Sequence, residues 1–185
     1  MDDKIFGNPK INKQAYVSTK ATLIGQIIVD QEVFVAPYAC LRADEGRPFK
    51  ICAGTNIQDG VIFHGLLEQF VYLDGQKYAI YIGPNCSIAH GAIVHGPTAI
   101  DENTFIGFRT VIHNAVIGQQ CYIGHGAIIN GVHIADKRFV PDGLVVNTQA
   151  QTEKLGLVPD KLQAFNHEVV EYNKKLVKLY KQRKQ

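Results

Sequence analysis

Between Ile82 and Val116 the chain reads IGPNCSIAHGAIVHGPTAIDENTFIGFRTVIHNAV. Every sixth residue is aliphatic, at Ile82, Ile88, Val94, Ile100, Ile106 and Ile112, and four residues after each comes Cys86, Ala92, Thr98, Thr104, Thr110 and Val116. A period of six fits neither an amphipathic helix, with its period of 3.6, nor a lone strand, with its period of 2. It fits a parallel β-helix, in which each block is one short side of a triangular coil and three blocks close a turn of about 18 residues. The aliphatic and the small residue of each block then face the axis. His90 and His95 interrupt this pattern and are the first candidates for chemistry.

Working outward, the same step runs back through Leu41, Val35, Val29, Leu23 and Val17 to Ile11, with Ala15, Ala21, Ile27, Val33 and Ala39 at the second inward position. After Leu41 the register slips by four residues around Arg47 to Lys50 and resumes at Ile51, Ile57 and Phe63. A longer excursion from about Leu66 to Tyr78 separates Phe63-His64-Gly65 from Ala79-Ile80-Tyr81; both excursions are expected to protrude as loops. Beyond Ile112 the register shortens by one, to Ile117 and Ile123, and becomes ragged through Ile134 and Val140. The chain is read as a single domain over 1–185: a β-helix over 11–148, a linker over 149–158 and a helix over 159–183. Pro159 at an N1-like position and Asp160 in the first turn announce that helix. Leu162, Phe165, Val169, Tyr172, Leu176 and Leu179 are expected to pack along the coil, with Asn173 beside them, partly buried and in need of a partner.

The 185 residues are enough to bury a core unaided, and 46% hydrophobic residues with 17 glycines describe a globular chain. No apolar run is long enough to span a bilayer, and Met1-Asp2-Asp3-Lys4 lacks the basic and apolar regions of a secretory signal, so a soluble, cytoplasmic protein is expected. Lys174, Lys175, Lys178, Lys181, Arg183 and Lys184 are read as a solvated helix face and not a nucleic-acid or membrane surface, because no aromatic residues interleave as base-stacking platforms. Cys40, Cys52, Cys86 and Cys121 show no metal or redox spacing. Cys86 and Cys121 are expected as core thiols.

Call the sides opened by Ile57, Phe63 and Ile82 A, B and C. Arg42, His64, His95 and His113 then stack on side B with Asp44 nearby, while Gln58, Asp59 and His90 stack at the end of side A. Coils lie about 4.8 Å apart, so His64 and His95 are close enough to share one ion. His90 is five residues before His95 and around a corner, about 16 Å of extended chain away. A neighbouring chain can supply it: side A of one subunit docking on side B of the next would bring His90 to His64 and His95 and Arg42 to Asp59, in a heterologous ring of three. Three imidazoles and one open position are the ligand set of a catalytic zinc site. His113, His125, His133 and His167 are assigned structural roles.

At these residues the sequence resembles the gamma-class carbonic anhydrases. The matching segments are Leu41-Arg42-Ala43-Asp44-Glu45-Gly46, Thr55-Asn56-Ile57-Gln58-Asp59-Gly60-Val61-Ile62-Phe63-His64 and Ser87-Ile88-Ala89-His90-Gly91-Ala92-Ile93-Val94-His95-Gly96-Pro97. The resemblance implies a left-handed β-helix of hexapeptide repeats, against the general right-handed crossover rule. It also implies a homotrimer holding Zn2+, or Fe2+ or Co2+, between subunits through His64, His95 and the neighbour's His90. Gln58 and Asn56 would hold the metal-bound hydroxide and CO2; Arg42, Asp44 and Asp59 would hold the interface, with Arg42 also orienting bicarbonate; Asn173 would reach the site from the terminal helix. The family's best enzymes carry a proton-shuttling glutamate three residues after the first histidine, where this chain has Leu67. Glu68 after a one-residue shift, or Glu45, is then the candidate shuttle, and the shorter loop resembles that in the anhydrase domain of carboxysome scaffold proteins. The competing readings are a catalytically weak or silent metal-binding or scaffold trimer and a hexapeptide acyltransferase, which needs one histidine and gains nothing from three.

Overall fold

In each coil three large apolar residues point at the axis, aliphatic except at Phe63, and the chain repeats that triad until the columns close a continuous core. In the structure, a computed structural model that describes residues 7–183, the strands of these residues form three seven-stranded parallel sheets, one per side. Met1 to Lys4 and Lys184 lie outside the described residues. Leu41, Ile51 and Ile57 in an early coil and Val94, Ile100 and Ile106 in a later one are fully buried. The architecture is a left-handed β-helix of about eight turns with a C-terminal helix. Ile11, in the first coil, is 46% exposed, with no coil among the described residues covering it on that side.

Polar residues at the second inward position are satisfied from the neighbouring coil. Thr104 Oγ1 donates to Gly118 O at 2.9 Å and Thr110 Oγ1 to Gly124 O at 2.9 Å, so burying these hydroxyls leaves no unpaired donor. Cys86 and Cys121 are buried, as expected, and burial pushes both thiols up, Cys121 to about 11.

The register beyond Ile112 is not ragged. Val111 lies opposite Ile128 and Ile128 opposite Val145, a steady 17-residue turn whose missing residue falls each time at the corner between sides B and C. That five-residue step turns Ala115 inward, 2% exposed, and leaves Val116 outside, 38% exposed, contrary to the six-residue extrapolation.

Both excursions leave this same corner. Cys40–Ala43 ends on side B and Phe49–Ile51 opens side C, so Phe49 and Lys50 already belong to a strand and the inserted segment is 44–48. The second excursion leaves after His64 and folds back as an antiparallel hairpin, Val71–Leu73 with Gln76–Tyr78. Gly46 and Gly65 hold the two bases together: a Cβ at Gly46 would meet Leu66 O at 2.4 Å and one at Gly65 would meet Gly46 O at 2.9 Å. The close approach therefore needs glycine at both positions. It fixes Asp44 and Glu45 beside His64.

The segment after the coil contains a short helix, α1 (Gln149–Thr152), where a linker was expected. It leads to α2 (Asp160–Gln182), which packs on side A against Tyr16–Val17, Phe34–Val35 and Ser87–Ile88. The most buried stripe of α2 is Asn166, Val170, Asn173 and Val177; of the stripe expected from hydrophobicity, Leu162 and Leu176 pack half-buried on side A, whereas Phe165, Tyr172 and Leu179 are 40%, 63% and 55% exposed. Side A explains the shift. Its outward column is aromatic at both ends, with Tyr16 stacked on Phe34 at 5.4 Å and Phe105 on Tyr122 at 4.6 Å, but polar in the middle at Asn56 and Ser87. The rings make a seat for the helix, with Tyr180 5.0 Å from Tyr16 and 5.7 Å from Phe34 and Phe165 5.4 Å from Phe105, while Asn166 Nδ2 donates to Asn103 O at 3.0 Å. Among the described residues no helix is long and apolar enough to cross a membrane.

Candidate metal centre

The side B column forms as the spacing implies: Arg42 lies opposite His64, His64 opposite His95 and His95 opposite His113 in successive strands. His64 Nδ1 is 3.3 Å from His95 Nε2. The outer neighbours decide where the ring protons sit. His95 Nδ1 is 3.1 Å from Gly96 O, an acceptor, so Nδ1 carries the hydrogen and Nε2 is bare. His64 Nε2 faces Glu45 Oε2 at 3.5 Å and Asp44 Oδ1 at 3.7 Å, and two carboxylates favour a hydrogen there and a lone pair on Nδ1. Two lone pairs therefore point at each other. Two nitrogens bound tetrahedrally at about 2.0–2.1 Å from one zinc lie about 3.3–3.4 Å apart, so the pair fits a shared metal.

The carboxylates behind His64 are themselves held. Arg42 donates from Nε and Nη2 to Asp44 Oδ2 at 3.1 and 3.0 Å. Burial alone would raise the Asp44 carboxyl, but the Arg42 hydrogen bond, a backbone bond and the charges of Arg42 and His64 outweigh it and hold the group below its ordinary value. Asp44 Oδ1 and His64 Nε2 are buried without a hydrogen bond, a few tenths of an ångström too far apart to make one.

A second cluster stands at the other end of side B, where side A turns into it. His90 Nδ1 is 3.1 Å from Asp59 Oδ2, which leaves His90 Nε2 bare on a side chain that is 56% exposed. Gln58 Nε2 donates to Asn56 Oδ1 at 2.9 Å, and Asn56 Nδ2 donates in turn to Ser87 Oγ at 2.9 Å. Asn56 is fully buried, so it reaches any substrate only through Gln58. Asn173 is buried on α2, and its Nδ2 donates to Val169 O at 2.9 Å.

Among the described residues no group of three or more His, Cys, Asp or Glu side chains is arranged to hold a metal ion. The chain instead carries two separate clusters: His64 and His95 with Arg42, Asp44 and Glu45, and His90 with Gln58 and Asp59. Arg42 and Asp59, expected to pair between subunits, have partners within the chain but keep side chains 49% and 52% exposed. Side A cannot itself dock on a neighbour's side B, because α2 covers it. The free element is the corner that carries Asp59 and His90. Glu68 stands on the exposed second excursion with φ +56°, while Glu45 is the candidate shuttle that lies against a histidine. The sequence reading missed the outer partners that set the ring protons. Gly96 O could not have been found from residue types, being a backbone group.

No protein-family model matches the chain. A carbonic anhydrase from Methanosarcina thermophila is 37% identical over 187 residues, covering 94% of this chain and 75% of that protein. The carboxysome assembly protein CcmM of a Nostoc species is 36% identical over 168 residues, covering 90% of this chain, which spans only 30% of that protein. Among solved structures, a hexapeptide transferase family protein from Anaplasma phagocytophilum matches with a TM-score of 0.73 over 93% of this chain and 92% of that one; at 18% identity it shows the fold alone.

Proposed function

Because this chain belongs to the gamma-class carbonic anhydrase family, we propose that it catalyses the reversible hydration of CO2 to bicarbonate and a proton, at a metal site completed between subunits of a homotrimer. The observation that carries the reading is the pair of facing ring nitrogens, His64 Nδ1 and His95 Nε2, 3.3 Å apart. Zinc is the assigned ion, and imidazole ligands suit ferrous iron and cobalt as well. When bound, such a metal lowers the pKa of water to about 7 and so supplies a nucleophile for CO2 at neutral pH.

The chain's own groups do the rest. His64 and His95 of one copy would hold the ion together with His90 of the next, whose ring is hydrogen-bonded to Asp59. Gln58 is tied through its Nε2 to buried Asn56, which leaves its Oε1 as the acceptor that would hold the substrate oxygen. Asn56 acts as a positioning residue. Arg42, exposed beside the histidine column, orients bicarbonate and pairs with Asp59 of the neighbouring copy, while Asp44 braces His64. Glu45 takes the released proton toward solvent, and Glu68 is the alternative carrier. Asn173 acts from beneath α2 and not by direct contact.

Side B supports the assembly. Its outward aliphatic column is uncovered, with Ile62, Ile93, Ile128 and Val145 each 37–43% exposed beside the histidines. A row of that kind fits burial against another copy. The second reading, a metal-binding trimer without useful turnover, is favoured by Leu67, which stands 64% exposed where the family's shuttle would be.

Stopped-flow CO2 hydration on anaerobically purified protein, with metal analysis and a His95→Ala control, separates the readings. Metal-dependent hydration lost in the variant is the expected result. Full metal occupancy without hydration leaves the silent trimer, and absence of metal removes both.

A further inference from the structure

At the corner between sides A and B, Asp59, His90, Phe108 and His125 occupy one position in four successive coils. Gly91 N–H donates to Asp59 O at 2.9 Å, Arg109 N–H to His90 O at 3.0 Å and Gly126 N–H to Phe108 O at 2.8 Å. His90 lies against Phe108, ring centroids 5.5 Å apart, and Phe108 stacks on His125 at 4.4 Å and 10°. Phe108 is 43% exposed, a large apolar ring on a corner otherwise built of polar residues and glycine. At the far end of side B, His113 extends the other histidine column, 5.3 Å from His95, and lies opposite Asn130.

Neighbours fix the protons of the two outer histidines. The backbone N–H of Phe108 donates to His125 Nδ1 at 2.9 Å, so the hydrogen of His125 sits on Nε2. His113 Nδ1 is 2.8 Å from Asn130 Oδ1, so its hydrogen sits on Nδ1 and Nε2 is a bare acceptor. One column thus ends in a donor and the other in an acceptor.

We propose that, in the assembly joining His90 to His64 and His95, His125 of one copy donates its Nε2–H to Nε2 of His113 in the next, with Phe108 packed between this bond and the metal ligands. The proposal rests on the reading above. Both columns climb by the same coil spacing of about 4.8 Å, so a contact made at one level repeats at the next. If His90 falls between the levels of His64 and His95, Phe108 falls between His95 and His113, and His125 between His113 and Asn130. His125 has no lone pair left to offer, so this upper rung cannot hold an ion. Its effect is on register: a slip by one coil in one direction would put Phe108 opposite the ligand pair, and a slip in the other would carry the His125 donor past its acceptor, so each wrong docking is penalised.

The test is a double-mutant cycle on the monomer–trimer equilibrium, measured by sedimentation with zinc at saturation. His113→Ala and His125→Ala are each expected to weaken association about tenfold per interface, and the double variant no more than either alone. Zinc per chain should be unchanged once assembly is complete. His113→Glu and His125→Lys should each weaken assembly singly and restore it together. Additive losses, or none, overturn the inference while leaving the zinc-bound trimer standing. A wild-type chain that stays monomeric with saturating zinc overturns it together with the reading on which it rests.

Discussion

Sides A and B of this β-helix are built from the same repeat and finished in different ways. Side A carries aromatic rungs, and the chain covers them itself: Phe105 is 1% exposed and Tyr122 6% beneath α2 and the segment before it. Side B carries aliphatic rungs that stay bare, with Ile62 at 43% and Ile93 at 37%, and its polar column is the histidine ladder. Inward residues are equivalent on the two sides, so the scaffold does not distinguish them. The outward column does: side A closes the fold and side B stays bare.

The sharpest way to break that comparison uses the separation of the two clusters. His90→Ala and His95→Ala should each abolish hydration, with a loss of at least about a thousandfold, since each removes one of three ligands. Mixed and reassembled, the two variants should recover about a quarter of wild-type activity, because an interface joining the intact His64–His95 pair of one to the intact His90 of the other is complete. No recovery on mixing, with assembly verified, would place the whole site in one chain.

The next pair of variants addresses the outward columns directly. Phe105→Ala should cost the fold about 3–5 kcal/mol, read as a lower thermal midpoint, because it empties the seat of α2. Ile93→Lys should leave the thermal midpoint of the separated chain nearly unchanged and yield monomers on sedimentation. If Ile93→Lys unfolds the chain while Phe105→Ala only disperses the assembly, the roles of the two sides are reversed.

Asp44→Asn probes how the carboxylates behind His64 help the site. It keeps the side chain's shape but removes the charge that favours a hydrogen on His64 Nε2, so zinc affinity should fall about 10- to 100-fold in a competition titration. Unchanged affinity would mean that Glu45 alone sets the ring.

What could be read from the sequence divides along the same line. The inward columns announce themselves because a six-residue step in Ile, Val and Leu has one structural solution, and the ladder Arg42–His64–His95–His113 follows from counting. The outward column of side A is just as periodic, one residue before each inward position, but aromatic rungs interrupted by Asn56 and Ser87 do not read as a seat for a helix until the helix is in place. Hydrophobicity therefore selected a stripe of which Leu162 and Leu176 pack on side A while Phe165, Tyr172 and Leu179 stay largely exposed. The preference of Glu45 over Glu68 was equally hidden, since it depends on the Gly46–Gly65 contact between two excursions whose paths no periodicity specifies. The ring protons depend on backbone carbonyls and carboxylates brought together by the coil.

The buried stripe of α2 offers the smallest of these effects and the most direct check on how side A is closed. Asn166 is 5% exposed and donates through Nδ2 to Asn103 O at 3.0 Å, while its Oδ1 is buried without a partner. An aliphatic residue would bury as much surface but leave that turn carbonyl unpaired, so the amide is there to set where the helix lies and not to add burial. Asn166→Ala should cost about 1 kcal/mol, a drop of about 2–4 °C in the thermal midpoint, with assembly and hydration intact. Asn166→Leu, which restores apolar volume without the donor, should recover little of that loss. Full recovery by leucine would mean that α2 is held on side A by hydrophobic contact alone, and the two sides would then differ only in which chain supplies the cover.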